Sequence, residues 1–193
     1  RQKILVALGA DGLGLPVGAV CVYHQMIAPA RDALAGSGIP IAAVSAGFPA
    51  GLSAPKARLL EIEESVAAGA NEIDIVIDRS HALSGDWRAV YDEVRAYRDA
   101  CGPAHLKTII ATGDLATLRN TAKASLVCMM AGADFIKTST GKEDTNATPA
   151  VSLTMLRMIR AYRERTGQRV GFKPAGGIGT AKAALGYQFM MKE

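Results

Sequence analysis

The sequence predicts an α/β protein built as a parallel β/α barrel of the TIM type, and three observations carry that expectation. Six short runs rich in Val and Ile alternate with stretches of helical periodicity, the order expected of βα units. The short runs show little polar–apolar alternation, as strands covered on both faces should. Two of them carry a lysine at or next to their last residue and pass into glycine turns, and strand C-termini are where barrel enzymes place catalysis and phosphate binding.

In chain order the expected strands are 19–23 (AVCVY), 41–45, 72–77, 106–111, 134–138 and 169–173. Between them, PKARLLEIEESVAAGA, DWRAVYDEVRAYRDAC, DLATLRNTAKASLVCMMAG and TPAVSLTMLRMIRAYRERTG repeat apolar residues at helical spacing. Asp86 and Asp114 stand at N-cap positions and Pro149 near a first turn, while Gly69, Gly132 and Gly167 sit at C-terminal ends. Met129, Met130, Met155 and Met158 fall on these helices and read as packing residues. Six strands fall short of the eight strands and roughly 250 residues of a typical barrel. The expectation is therefore a single domain over residues 1–193 from which the first and last strands are absent. An open doubly wound sheet is the alternative that alternation alone leaves open.

At 49% hydrophobic and 21% charged residues the chain suits one globular domain rather than a disordered one. The net charge of +4 is interspersed and aromatics are few, so no basic stripe with stacking rings points to nucleic acid; a preference for small anions is the more modest implication. Cys21, Cys101 and Cys128 lack disulfide or zinc spacing. His24, His81 and His105 are scattered, so no metal is expected. The apolar run at 4–8 is too short for a signal-peptide core, and no segment reaches the roughly 18 apolar residues of a membrane span. A cytoplasmic setting is expected. The glycine-rich opening LGADGLGLP has no explanation at this level.

The chemistry concentrates in lysines. AGANEID (68–74) and AGADFIK (131–137) echo one another, which puts Asp74 and Lys137 at equivalent positions of two strands. If those strands lie two apart in a barrel, the carboxylate and the amine can meet in the interior. Lys173 ends a third strand of similar design. A free lysine titrates near 10.4, and lowering that to about 7 takes roughly 4 to 5 kcal/mol, which desolvation and a second cation can supply together. Lys137 and Lys173 suit that arrangement, one as a neutral nucleophile and the other as an ammonium, with Asp74 holding the ammonium and carrying protons. Taken singly, a strand-end lysine more often reaches for solvent; two of like placement shift the balance. Lys107 reads as a supporting residue at the entrance of its strand, and Cys21 as a core residue. The turns 138–142 and 175–177 can present backbone N–H groups to a phosphate.

At this point AVCVY, SAGFPAG (45–51), EIDIVI (72–77), DFIKTSTGK (134–142), NATP (146–149) and GFKPAGG (171–177) together resemble the deoxyribose-phosphate aldolase family. The resemblance covers most of the chain in the family's order, and DFIKTSTGK with GFKPAGG downstream is a specific pair. It implies a class I aldolase that cleaves 2-deoxy-D-ribose 5-phosphate to glyceraldehyde 3-phosphate and acetaldehyde without a cofactor. The Schiff-base lysine falls on Lys137, the second lysine on Lys173 and the proton-relay aspartate on Asp74. By the same carry-over Cys21 lines the pocket, and Gly141, Lys142, Gly176 and Gly177 lie on the phosphate side. A homodimer is implied as well. The sequence departs from the pattern at His24, where proline is common, at Gly179, where an arginine often stands, and at ATGD (111–114), where the family is more acidic. Another lysine-dependent phosphosugar aldolase is the nearer rival; a noncatalytic, truncated phosphometabolite-binding paralogue is the rival from a different class.

Overall fold

In the computed structural model the described residues are 17–192. The apolar run at 4–8 and the glycine-rich opening at 8–16 lie outside them. The expected strands appear as β1 (Val20–Tyr23), β2 (Ile41–Ser45), β3 (Glu72–Val76), β4 (His105–Ile109), β5 (Phe135–Lys137) and β6 (Gly171–Lys173). All pair in parallel, in sequence order, in one six-stranded sheet. Among the described residues the sheet stays an open arc, with β1 and β6 at its edges.

Register decides which side chains share a face, because residues directly opposite in parallel strands point the same way. Val44, Asp74, Lys107, Phe135 and Gly171 form one row across β2 to β6. Val76, Ile109, Lys137 and Lys173 form the row two residues further along, on the same face. The intervening residues Ala43, Ile73, Ile75, Leu106, Ile136 and Phe172 belong to a continuous apolar core. One face of the sheet is thus oil for the helices, and the other carries the charges.

Among the described residues six helices complete that core: α1 (Ile27–Leu34), α2 (Pro55–Ala67), α3 (Arg79–Ser84), α4 (Trp87–Ala100), α5 (Leu118–Met130) and α6 (Pro149–Thr166); α7 (Ala181–Met190) follows and buries no residue. In α4, Val90, Val94 and Tyr97 are buried, the one-sided spacing of an amphipathic helix. Asp86 caps it, accepting from Ala89 N at 3.0 Å. Thr148 and Pro149 open α6 in the same manner. No helix among the described residues is long and apolar enough to cross a membrane.

Three sequence expectations change here. Asp114 is not the cap of α5; Thr117 is, accepting from Asn120 N at 3.1 Å, while Asp114 lies in the preceding loop 3.4 Å from Arg79. Met130 is 60% exposed rather than packed, since it ends α5 on the solvent side. Strand β1 is only half-buried, because an edge strand has a neighbour on one side alone, and Cys21 is exposed rather than in the core.

Gly171 shows how tightly the inner face is fitted. A Cβ there would lie 2.1 Å from the Phe135 ring, and that ring covers the Lys107 ammonium at 5.6 Å. Overpacking of this kind costs typically about 1–3 kcal/mol. Gly171→Ala is therefore expected to lower the unfolding free energy by about that amount in urea denaturation, with Gly171→Ala/Phe135→Leu recovering part of the loss.

Candidate active site

Lys137 is the last residue of β5 and Lys173 the last of β6, side by side in register. Asp74 sits in the middle of β3, two strands from β5, so the echo between the two Ala-Gly-Ala segments does mark strands two apart. From there its carboxylate reaches toward the strand ends. Lys137 Nζ donates to Asp74 Oδ2 at 2.7 Å and Lys173 Nζ to the same oxygen at 3.1 Å, which puts the two amines within about 6 Å of each other. Asp74 was expected to hold one ammonium; it holds both, and Lys137 the more closely.

Lys107 and Glu72 were the residues sequence reasoning undervalued. Lys107 lies at the centre of β4 rather than at its entrance, and only 3% exposed. Its ammonium donates to Glu72 Oε2 and stands 3.3 Å from Asp74 Oδ1. The available signal was Glu72 two residues before Asp74, hence on the same strand face, with an inward lysine on the next strand in register. Three ammonium groups thus meet two carboxylates on the inner face, a surplus of one positive charge.

The protonation behaviour follows from that crowding. Burial alone would raise the Asp74 carboxyl, yet the charges of Lys137, Lys173 and Lys107 and the hydrogen bond from Lys137 outweigh it and hold the group at about 2. For Lys173, burial works against the ammonium, but Asp74 and then Cys21 favour it and leave its pKa above the ordinary lysine value. Cys21 completes the group from β1, its Sγ 4.0 Å from Asp74 Oδ2. Although the residue is exposed at the sheet edge, its sulfur turns inward, and burial there together with the Asp74 charge pushes the thiol up.

The glycine turns adjoin this cluster. Thr138 Oγ1, one residue beyond Lys137, accepts from Ala175 N at 2.9 Å and ties the turn after β6 to the loop after β5. A Cβ on Gly141 would lie 4.0 Å from Gly176 Cα, while one on Gly176 would meet Asn146 side-chain atoms at 2.4 Å. Both glycines have left-handed backbones, φ 83° and 86°, so two turns that only glycine builds without strain approach one another just past the lysines. Gly177 and Lys142 are exposed beside them, and no ion pair among the described residues engages Lys142. His24, at the position where proline is common, bonds Ser65 Oγ at 3.0 Å.

Six parallel strands in sequence order, with three lysine amines gathered around one buried carboxylate on the inner face, define the class: a parallel β/α protein of the TIM-barrel type. The chain belongs to the DeoC/LacD family of aldolases, whose profile matches residues 5–186. It is 54% identical to deoxyribose-phosphate aldolase of Homo sapiens and 55% identical to that of Mus musculus, each over 195 aligned residues covering 100% of this chain and 61% of the relative. The chain therefore spans about 61% of the length of these curated relatives. Among solved structures, QR15, an aldolase, superposes with a TM-score of 0.79 at 29% identity over 98% of this chain and 80% of that one. A tetrameric deoxyribose phosphate aldolase from Aeropyrum pernix shares the fold, with a TM-score of 0.76 at 23% identity over 89% and 69% of the two chains.

The depressed Asp74 carboxyl makes a stability prediction whose sign is fixed. A carboxyl held at about 2 in the folded protein, against 3.8 ordinarily, contributes stability that is present above pH 3.8 and is lost as pH falls through about 2. Asp74→Asn removes that contribution and strands the ammonium groups, at a cost near neutrality of about 3–5 kcal/mol. In urea titrations the gap between parent and variant is expected to shrink steadily between pH 4 and pH 2.

Proposed function

We propose that the protein is a deoxyribose-phosphate aldolase that cleaves 2-deoxy-D-ribose 5-phosphate reversibly through a Schiff base on Lys137. The observation that carries this reading is the sharing of one buried carboxylate oxygen, Asp74 Oδ2, by the two strand-end amines. The identity of more than half to deoxyribose-phosphate aldolases along the whole chain supports the substrate.

The steps follow from amine chemistry. The Lys137 lone pair attacks C1 of the open-chain aldehyde, and loss of water leaves an iminium. The C3 hydroxyl proton passes through water to the Asp74–Lys173 pair, the C2–C3 electrons flow into the iminium, and glyceraldehyde 3-phosphate departs. The remaining enamine takes a proton at C2, and water releases acetaldehyde and the free amine. Two features suit these roles. The surplus positive charge in the cluster favours release of one proton, which an attacking amine requires. Lys173, with its raised pKa, remains the proton donor.

Cys21 forms part of the pocket wall in this reading. Gly141, Gly176 and Gly177 offer backbone N–H groups to the phosphate, and the unpaired Lys142 ammonium neutralises it. The first turn of α7, capped by Thr180, adds the positive end of a helix dipole nearby. The assembly inferred is a homodimer, which sedimentation of the intact protein checks.

Incubation with acetaldehyde and cyanoborohydride, followed by peptide mass mapping, tests the proposal. An added ethyl group at Lys137 is expected. Labelling spread over surface lysines, or none at Lys137, overturns it. Lys142→Ala is expected to raise KM for the phosphorylated sugar about tenfold with little change for unphosphorylated 2-deoxyribose, as steady-state kinetics on both substrates will register.

A further inference from the structure

We propose that the Glu72–Lys107 ion pair is a positioning unit for the amine chemistry: it braces Asp74 from the strand interior and sets how readily the cluster at the strand ends gives up a proton. The inference rests on the reading of Lys137 as the Schiff-base amine.

A fold staple has no need of this arrangement. A buried ion pair pays a desolvation penalty that well-packed apolar residues of similar volume avoid, often with equal or greater stability. Yet this chain buries the Lys107 side chain to 4% exposure and the Glu72 side chain to 12%, on the sheet face that carries the reactive groups instead of in the apolar core. Lys107 Nζ also does more than close a pair. It touches Glu72 on one side and stands 3.3 Å from Asp74 Oδ1 on the other, while Asp74 Oδ2 takes both Lys137 and Lys173. Charges therefore alternate along the inner face: Glu72, Lys107, Asp74, then the two strand-end lysines.

The surroundings isolate this ladder. The Phe135 ring lies 5.6 Å from the Lys107 ammonium, and Gly171, next in the register row, carries no side chain that would displace the ring. Strand β1 contributes Cys21, with its sulfur 4.0 Å from Asp74, and the exposed Tyr23, in register with Val44, while β2 turns only Ala42 and Val44 to this face. Besides Lys107, β4 brings His105, which is exposed and packs its ring 6.4 Å from Phe135. Strands β5 and β6 bring Lys137 and Lys173. Within this set, Glu72 and Lys107 alter the electrostatic balance in opposite directions without themselves standing at the strand ends.

Opposite signs make the proposal testable. In reductive ethylation the neutral amine adds to the carbonyl carbon of acetaldehyde, water leaves, and hydride from cyanoborohydride reduces the C=N bond to N-ethyl-lysine. The rate at Lys137, followed by peptide mapping against pH in the intact protein, reports how readily the cluster frees an amine, and its midpoint belongs to the cluster as a whole. Lys107→Met removes a cation, so the midpoint is expected to move up by about one pH unit, roughly a tenfold slower labelling below it. Glu72→Gln removes an anion, so the midpoint is expected to move down by a similar amount. The double variant restores the charge balance and is expected to return near the parent. Shifts in the same direction, or none, overturn the proposal, because a merely structural pair predicts no opposition. If Lys107→Met fails to fold, Glu72→Gln decides alone: a downward shift supports the proposal and any other result overturns it. Label at Lys137 in the parent with unshifted variants defeats this inference alone, whereas absence of label at Lys137 in the parent defeats the aldolase reading with it.

Discussion

A single carboxylate, fully withdrawn from water, holds this site together. Asp74 has no exposed surface, and three lysine ammonium groups converge on its two oxygens. An isolated buried carboxylate would be prohibitively costly, as would any of the lysines alone. Together they are tolerable because each supplies the countercharge that water supplies elsewhere. The balance is uneven, since even with Glu72 counted the cations outnumber the anions. On the proposed reading that excess favours the loss of one proton, and an amine that has lost its proton is a nucleophile. Electrostatic tension of this kind gathers at functional sites more often than at structural ones.

The scaffold supplies the geometry that makes such a cluster possible. Parallel strands place residues of equal register on the same face, so the apolar rows turn to the helices and the charged rows turn inward. Because Lys137 and Lys173 occupy adjacent positions at the ends of β5 and β6, their amines are brought together by backbone pairing and need no loop to position them. The turns that follow are locked to one another through Thr138 and Ala175, which keeps the glycine-lined approach next to the amines. On the proposed reading, the reacting aldehyde and the phosphate are thereby held at opposite ends of one short span.

Much of this was legible in the sequence, and the parts that were not share a cause. Every expected strand formed, with boundaries that differ by at most two residues, because runs of Val and Ile covered on both faces have few other uses. Asp74, Lys137 and Lys173 were visible because two strands repeat one pattern and a third ends alike. Glu72 escaped, and Lys107 was read as a supporting residue but placed at the strand entrance, because a charged residue within a strand reads equally well as solvent-facing; only register across strands assigns its face. The Asp114 cap failed because DLAT offers two capping residues three apart, and the irregular loop, with left-handed Ala111 and Ala116, selects the second. The exposure of Cys21 escaped because an edge strand's burial depends on neighbours that local sequence does not encode. The short helices α1, α3 and α7 gave little signal, and α7 buries no residue that would give it an amphipathic stripe.

The central claim, that the inner face carries one cation more than it can keep, is open to direct measurement. NMR of the intact protein labelled with 13C at the lysine ε-carbons distinguishes charged from neutral amines by chemical shift. At pH 7.5 the account predicts that the three interior lysines include one that is substantially uncharged, with a resonance that Lys137→Met or Asp74→Asn alters. Three fully protonated interior lysines at that pH, unchanged by either substitution, would contradict it.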